Sequence, residues 1–183
     1  MKRFTYILCL NLLAFVAASA GTISIQPPAT TLPLGSLLSL DVNVSGVSDL
    51  YAWQFDITFN PAVLSANNVT EGALFSSIGV FFSPGTIDNT AGTITFIGDS
   101  LSGPGPGISA DGTLVQILFN SVNPGSSNVD LSNIILLDSN LGDITVNAVW
   151  GSVDVTGVPE PSYLPVLSVA FLVVVARLKR LAR

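Results

Sequence analysis

The chain has 183 residues, a formal net charge of −6 and only 10% charged residues, against about 25% in an ordinary soluble domain. It has no His and one Cys, and its six bases (Lys2, Arg3, Arg177, Lys179, Arg180 and Arg183) all lie at the two ends. A body without Lys or Arg cannot neutralise phosphates, which excludes nucleic-acid binding. Without His it has neither a Ser-His-Asp nor a Cys-His relay, and no His-based metal site.

Residues 1–20 read as a secretory signal peptide. Lys2 and Arg3 open it, an apolar run from Tyr6 to Ala17 forms its centre, and Ala18-Ser19-Ala20 is a small-x-small cleavage site. The only cysteine, Cys9, leaves with it, so a mature chain from Gly21 has no disulfide. Eleven acids and no base remain between residues 21 and 156, a formal charge of −11.

Residues 21–156 are expected to be all-β, because runs of period two alternate with turn signals. Leu40, Val42 and Val44 alternate with Ser39, Asp41 and Asn43. Trp53, Phe55, Ile57 and Phe59 alternate with Ala52, Gln54, Asp56 and Thr58, so one face of this strand is core and the other wet. Ile94 and Phe96 form the next inward set, between Thr93, Thr95 and Ile97. Residues 114–119 are apolar on both faces, as in a central strand, and Ile134 to Leu137 is a short buried run. Ile144, Val146, Ala148 and Trp150 alternate until Gly151, where a bulge or kink shifts the set to Val153 and Val155. Turns are expected at Asn60-Pro61, Ser83-Pro84-Gly85, Ala91-Gly92, the Gly-Pro run 103–107, Asn123-Pro124-Gly125 and Leu141-Gly142.

Four segments in order resemble cohesin domains. Tyr51-Ala52-Trp53-Gln54-Phe55-Asp56-Ile57-Thr58-Phe59-Asn60-Pro61-Ala62-Val63-Leu64 is similar to their third-strand region, and Val69-Thr70-Glu71-Gly72-Ala73-Leu74-Phe75 to the segment that follows. Asp111 to Phe119 resembles their Gly-then-apolar strand ending in Phe. Asp138 to Ile144 with Trp150 to Val155 looks like the last loop and closing strand. The resemblance implies a jelly-roll β-sandwich of about nine strands and a module that binds another protein at a cell surface or in a matrix.

Three residue sets carry possible chemistry. Asp138, Asn140 and Asp143 share a short loop; they suit either a Ca²⁺ site or a β-turn bonding its own backbone. Tyr51, Phe81 and Phe82 are candidate ligand-binding aromatics, whereas Trp53 and Trp150 fit core positions by alternation. Glu71 is the only Glu of the body, and no His, Cys or cation accompanies it to tune a carboxyl, so no enzyme is expected.

Residues 157–162 form a linker containing Val158-Pro159-Glu160-Pro161, and 163–183 read as a transmembrane helix with a basic tail. The apolar run 163–176 has 14 residues, about 21 Å as a helix, and snorkelling bases can lengthen it. Arg177, Lys179, Arg180 and Arg183 form the stop-transfer cluster, expected on the cytoplasmic side. Pro159-Glu160-Pro161, the helix and the Arg-rich end together resemble the PEP-CTERM sorting signal of exported bacterial proteins. That resemblance implies a Gram-negative source, recognition of Pro159, Glu160 and Pro161 by an exosortase, and transient anchoring in the inner membrane. It also implies release to the cell surface or a biofilm matrix. The expected partner is a surface protein, with exopolysaccharide as the alternative ligand.

Overall fold

The structure, a computed structural model, describes residues 20–76 and 81–157. Within them the chain forms eleven strands: β1 (Gly21–Gln26), β2 (Ala29–Pro33), β3 (Leu37–Ser45), β4 (Leu50–Phe59), β5 (Leu64–Glu71), β6 (Ser83–Asp88), β7 (Thr93–Ser100), β8 (Gly112–Ser121), β9 (Gly125–Asp138), β10 (Val146–Val149) and β11 (Gly151–Thr156). They make two stacked sheets, one in the order β10-β1-β3-β8-β5 and one in the order β2-β11-β9-β4-β7-β6. The signal segment, the Pro-Glu-Pro motif and the C-terminal apolar and basic residues lie outside the described residues. Among the described ones no helix is long and apolar enough to cross a membrane.

The alternating sequence explains the sandwich. Ile23, Leu40, Val42, Ile117 and Phe119 of the five-stranded sheet face Phe55, Ile57, Ile97, Val129 and Val153 of the six-stranded one, all buried. Phe59 meets Phe119 edge-on across the gap at 5.2 Å. Truncating a core Phe of this kind to Ala costs about 3–5 kcal/mol.

The expected nine strands become eleven because the chain changes sheets twice. β1 pairs with β3 and β10, but Pro27 and Pro28 interrupt it and β2 joins β11 in the other sheet. Proline offers no N–H to continue a ladder. At the far end Gly151 repeats the manoeuvre: β10 runs parallel to β1, while β11 pairs with β2 and β9. A Cβ on Gly151 would lie 2.8 Å from Ile25 Cγ2, so the crossing needs a residue without a side chain. The expected core position of Trp150 is therefore overturned; it falls at the switch and is 58% exposed.

Three further expectations are corrected. Ser83-Pro84-Gly85 is not a turn between strands but the start of β6, the sheet's last strand, and an edge strand tolerates Pro on its unpaired side. Phe96 is not inward: β7 bulges, so Ile94 and Ile97 are both buried while Phe96 points out. The run Ile134 to Leu137 is not wholly buried, because β9 bulges opposite Gln54 and Asp56 and Ile135 faces solvent.

Candidate functional site

These two bulges flank the same strand, and together they border a groove on the surface. It lies on the outer face of the six-stranded sheet and has a volume of ≈ 480 Å³. Its floor is made of small or slender residues, Ala52 and Gln54 of β4 with Gly98 and Ser100 of β7, which are cross-strand partners. Ile135 and Leu137 of β9 stand along one side, and Phe81, Ser83 and Phe96 along the other. Phe81 is 71% exposed and Phe96 65%. A floor of small side chains between apolar walls is a trough that a partner's side chains can enter. Gly98 cannot be enlarged freely, since a Cβ there would lie 2.8 Å from the Trp53 carbonyl oxygen.

Asp56 organises the trough. Its Oδ1 accepts the Phe96 N–H at 2.7 Å and its Oδ2 accepts an Asn133 Nδ2–H at 2.6 Å. Phe96 and Asn133 both sit in the left-handed region, at φ 59° and 50°. Asn tolerates that conformation, but an aromatic residue there is strained. Such strain persists only where surrounding contacts impose it. Here the contact is a carboxylate with one oxygen for each bulge, and the outcome is that Phe96 and Ile135 reach the surface.

Behind the floor lies one buried acid, and a second stands half-buried at the end of β5. Asp99 of β7 is 4% exposed, and opposite it in the sheet is Trp53, also buried. Glu71 ends β5 beside Val115, a core residue of β8. Burial, followed by the neighbouring Asp99 carboxyl, pushes the Glu71 carboxyl above its ordinary value.

The other expected residues fall into place around this face. Phe82 is half-buried against the core, so of the three proposed aromatics only Phe81 presents its ring to the groove. Tyr51 is half-buried, and its hydroxyl donates to the Gly103 carbonyl at 2.6 Å, tying down the Gly-Pro loop. Asp138 Oδ1 accepts the N–H groups of Asn140 and Gly142, both at 2.8 Å. That is the turn alternative for this loop; Asn140 and Asp143 are exposed. Among the described residues no group of three or more acids, Cys or His is placed to hold a metal ion. Pro159, Glu160, Pro161 and the bases Arg177, Lys179, Arg180 and Arg183 lie outside the described residues.

The roles of Phe96, Ile135 and Asp56, and the burial of Asp99, went unrecognised in the sequence. A signal existed for some of them. Ile94 and Ile97 are three apart, so both can face inward only if the strand bulges between them. The same parity then puts Asp99 on the face of Ile97.

The cohesin domain family model matches residues 22–155. Among solved structures, a non-cellulosomal cohesin from Archaeoglobus fulgidus superposes with a TM-score of 0.64 at 21% identity, covering 75% of this chain and 92% of that one. A cohesin of Acetivibrio cellulolyticus scaffoldin B, solved with a Cel5 dockerin, gives 0.61 at 19% identity over 75% and 100%. A Clostridium thermocellum OlpC cohesin, solved in a type I cohesin–dockerin complex, gives 0.61 at 11% over 76% and 95%. No curated protein matches the chain.

Proposed function

This chain belongs to the cohesin domain family, and we propose that it is a non-catalytic module that binds another protein through the trough on its six-stranded sheet. The observation that carries this is the pair of bulges held by Asp56, which turn Phe96 and Ile135 outward from a strand pattern that would otherwise bury apolar residues. A sandwich gains nothing in stability from exposing them, whereas exposed apolar side chains gathered around a trough suit docking. Similar cohesins solved in complex with dockerins support a protein as the ligand. The partner's chemistry follows from the charge of this one: apolar side chains for the trough, ringed by Lys and Arg to meet a body that carries acids alone.

Delivery belongs to the same proposal. The signal peptide exports the chain, and the C-terminal helix holds it in the inner membrane. An exosortase then recognises Pro159, Glu160 and Pro161 and passes the module to the cell surface or extracellular matrix.

A capture experiment tests the docking part. Immobilised wild-type chain, the groove variant Phe96→Asp/Ile135→Asp and an opposite-sheet variant Leu37→Asp are each exposed to exported proteins and, separately, to exopolysaccharide. The proposal expects one protein retained by wild type and Leu37→Asp and lost from the groove variant. Equal retention by all three contradicts it, and retention of polysaccharide alone favours the carbohydrate alternative. For sorting, deletion of Pro159, Glu160 and Pro161 is expected to leave the chain in the inner-membrane fraction.

A further inference from the structure

We propose that the outer face of the five-stranded sheet carries a second binding site, a polar groove that takes the hydroxyl groups of a neutral polysaccharide. A bulge opens it. Val42 of β3 pairs with Val115 of β8, but the next residue, Asn43, pairs with Thr113, so Leu114 has no partner on β3. Leu114 and Val115 are both buried. Two consecutive residues of β8 therefore turn inward, and between Thr113 and Gln116 the outer face of that strand lacks the side chain that alternation would supply. The groove beside this gap has a volume of ≈ 380 Å³, within the range of sites for small ligands.

The lining forms hydrogen bonds and is almost without charge. Ser24 of β1, Asn43 of β3 and Thr113 of β8 are cross-strand partners, so a hydroxyl, an amide and a hydroxyl stand in one row across three strands, about 4.8 Å from strand to strand. Gln26 and Ser45 flank the row, and Asp111 stands at one end, its Oδ1 accepting the Gly46 N–H at 2.8 Å. Asn43 is the least satisfied of them, because its Oδ1 is buried with no donor among the described residues. That oxygen has no hydrogen bond to lose when the amide turns toward the opening, where it can offer an oxygen to a donor or an NH₂ to an acceptor. A sugar hydroxyl both donates and accepts, so it matches a row of hydroxyls and an amide. Other ligand classes fit less well. No aromatic or large exposed apolar side chain lines the groove, so a protein partner has no anchor there. Eleven acids and no base between residues 21 and 156 repel an anionic polymer. The groove is on the opposite sheet from the trough and does not depend on what the trough binds.

The test uses the immobilised full chain in four forms: wild type, Asn43→Leu, Thr113→Val and the trough variant Phe96→Asp/Ile135→Asp. Each is offered dextran, galactomannan and hydroxyethyl cellulose, which are neutral, and alginate, which is anionic. Thermal unfolding checks that each variant is folded. Thr113→Val only exchanges a hydroxyl for a methyl group, so it keeps the test decisive if Asn43→Leu does not fold. The proposal expects at least one neutral polysaccharide to be retained equally by wild type and the trough variant. Retention is expected to be about fivefold weaker for Asn43→Leu and for Thr113→Val, and alginate is expected to be retained by none. Retention of no neutral polysaccharide, retention of alginate equal to theirs, or a loss confined to the trough variant overturns it. So does an exported protein that wild type retains and both groove variants lose, since the groove would then be a protein site. None of these outcomes needs the trough to bind a protein, so a failure here is distinct from a failure of docking there.

Discussion

Asp56 shows how far one side chain can redirect a sheet. Strand alternation assigns Phe96 to the core, and that is where a regular β7 would put it. One carboxylate, bonding the backbone of Phe96 and the amide of Asn133, holds both neighbouring strands off register. Mutation separates the two roles. Asp56→Ala removes both bonds and leaves a strained Phe96 without support, so urea unfolding is expected to show a loss of about 1–2 kcal/mol, together with weaker partner binding. Phe96→Ser removes only an exposed ring, so stability is expected to stay within about 0.5 kcal/mol while partner binding falls. If Phe96→Ser destabilises the fold as much as Asp56→Ala does, the ring is a packing element and not a docking one.

At the scale of elements, the sequence was most legible where alternation ran unbroken. Trp53, Phe55, Ile57 and Phe59 are all buried as period two requires. It was least legible where the chain changes partner without changing pattern. Nothing in the apolar spacing of Ile144, Val146, Ala148 and Trp150 announces that Trp150 is the residue between sheets, because alternation records which face a residue occupies and not which sheet its strand joins. Pro27-Pro28 and Gly151 were visible as punctuation, yet their effect, two extra strands, is a tertiary matter. Local sequence marks the Gly-Pro run 103–107 as a turn but says nothing of what holds it. The structure anchors it at both ends: Tyr51 bonds Gly103, and Asp49 accepts the Gly107 N–H as well as the Ser139 hydroxyl. A Cβ on Gly107 would sit 2.4 Å from the Asp49 carbonyl, whereas one on Gly105 would meet nothing within 4 Å. Gly107→Ala is therefore expected to lower the thermal midpoint by several degrees and to speed proteolysis of the loop, and Gly105→Ala to do neither. Equal effects from the two would mean that the anchor is not formed.

The whole molecule is an acidic sandwich with no internal base, and its pH response follows from which acids the fold favours charged. The Ser139 hydroxyl and then the Gly107 N–H hold the Asp49 carboxyl below its ordinary value; the Ala91 and Thr90 N–H groups do the same for Asp88. Both lowered groups stabilise the fold above about pH 3.8, and that contribution is lost as pH falls through their lowered values. Glu71 acts in the opposite sense. Its raised value means that its contribution is complete below 4.5 and is lost as pH rises through the raised value. The thermal midpoint is accordingly expected to peak between these windows and to fall on both sides, and Glu71→Gln is expected to flatten only the higher-pH fall. A midpoint that rises steadily from pH 4 to pH 8 would show that the Glu71 carboxyl is not raised in the folded chain. For the proposed docking, the charge of the body favours a cationic, apolar-tipped partner over anionic ones. We propose that the partner docks in this trough, on the six-stranded sheet. It is tested most directly by titrating the captured partner against wild type, Phe96→Asp and Leu37→Asp, the last an exposed site on the outer face of the other sheet. Docking in the trough requires a Kd at least about tenfold weaker, or about 1.4 kcal/mol, for Phe96→Asp and an unchanged Kd for Leu37→Asp; the reverse pattern, or no change in either, would place the partner elsewhere.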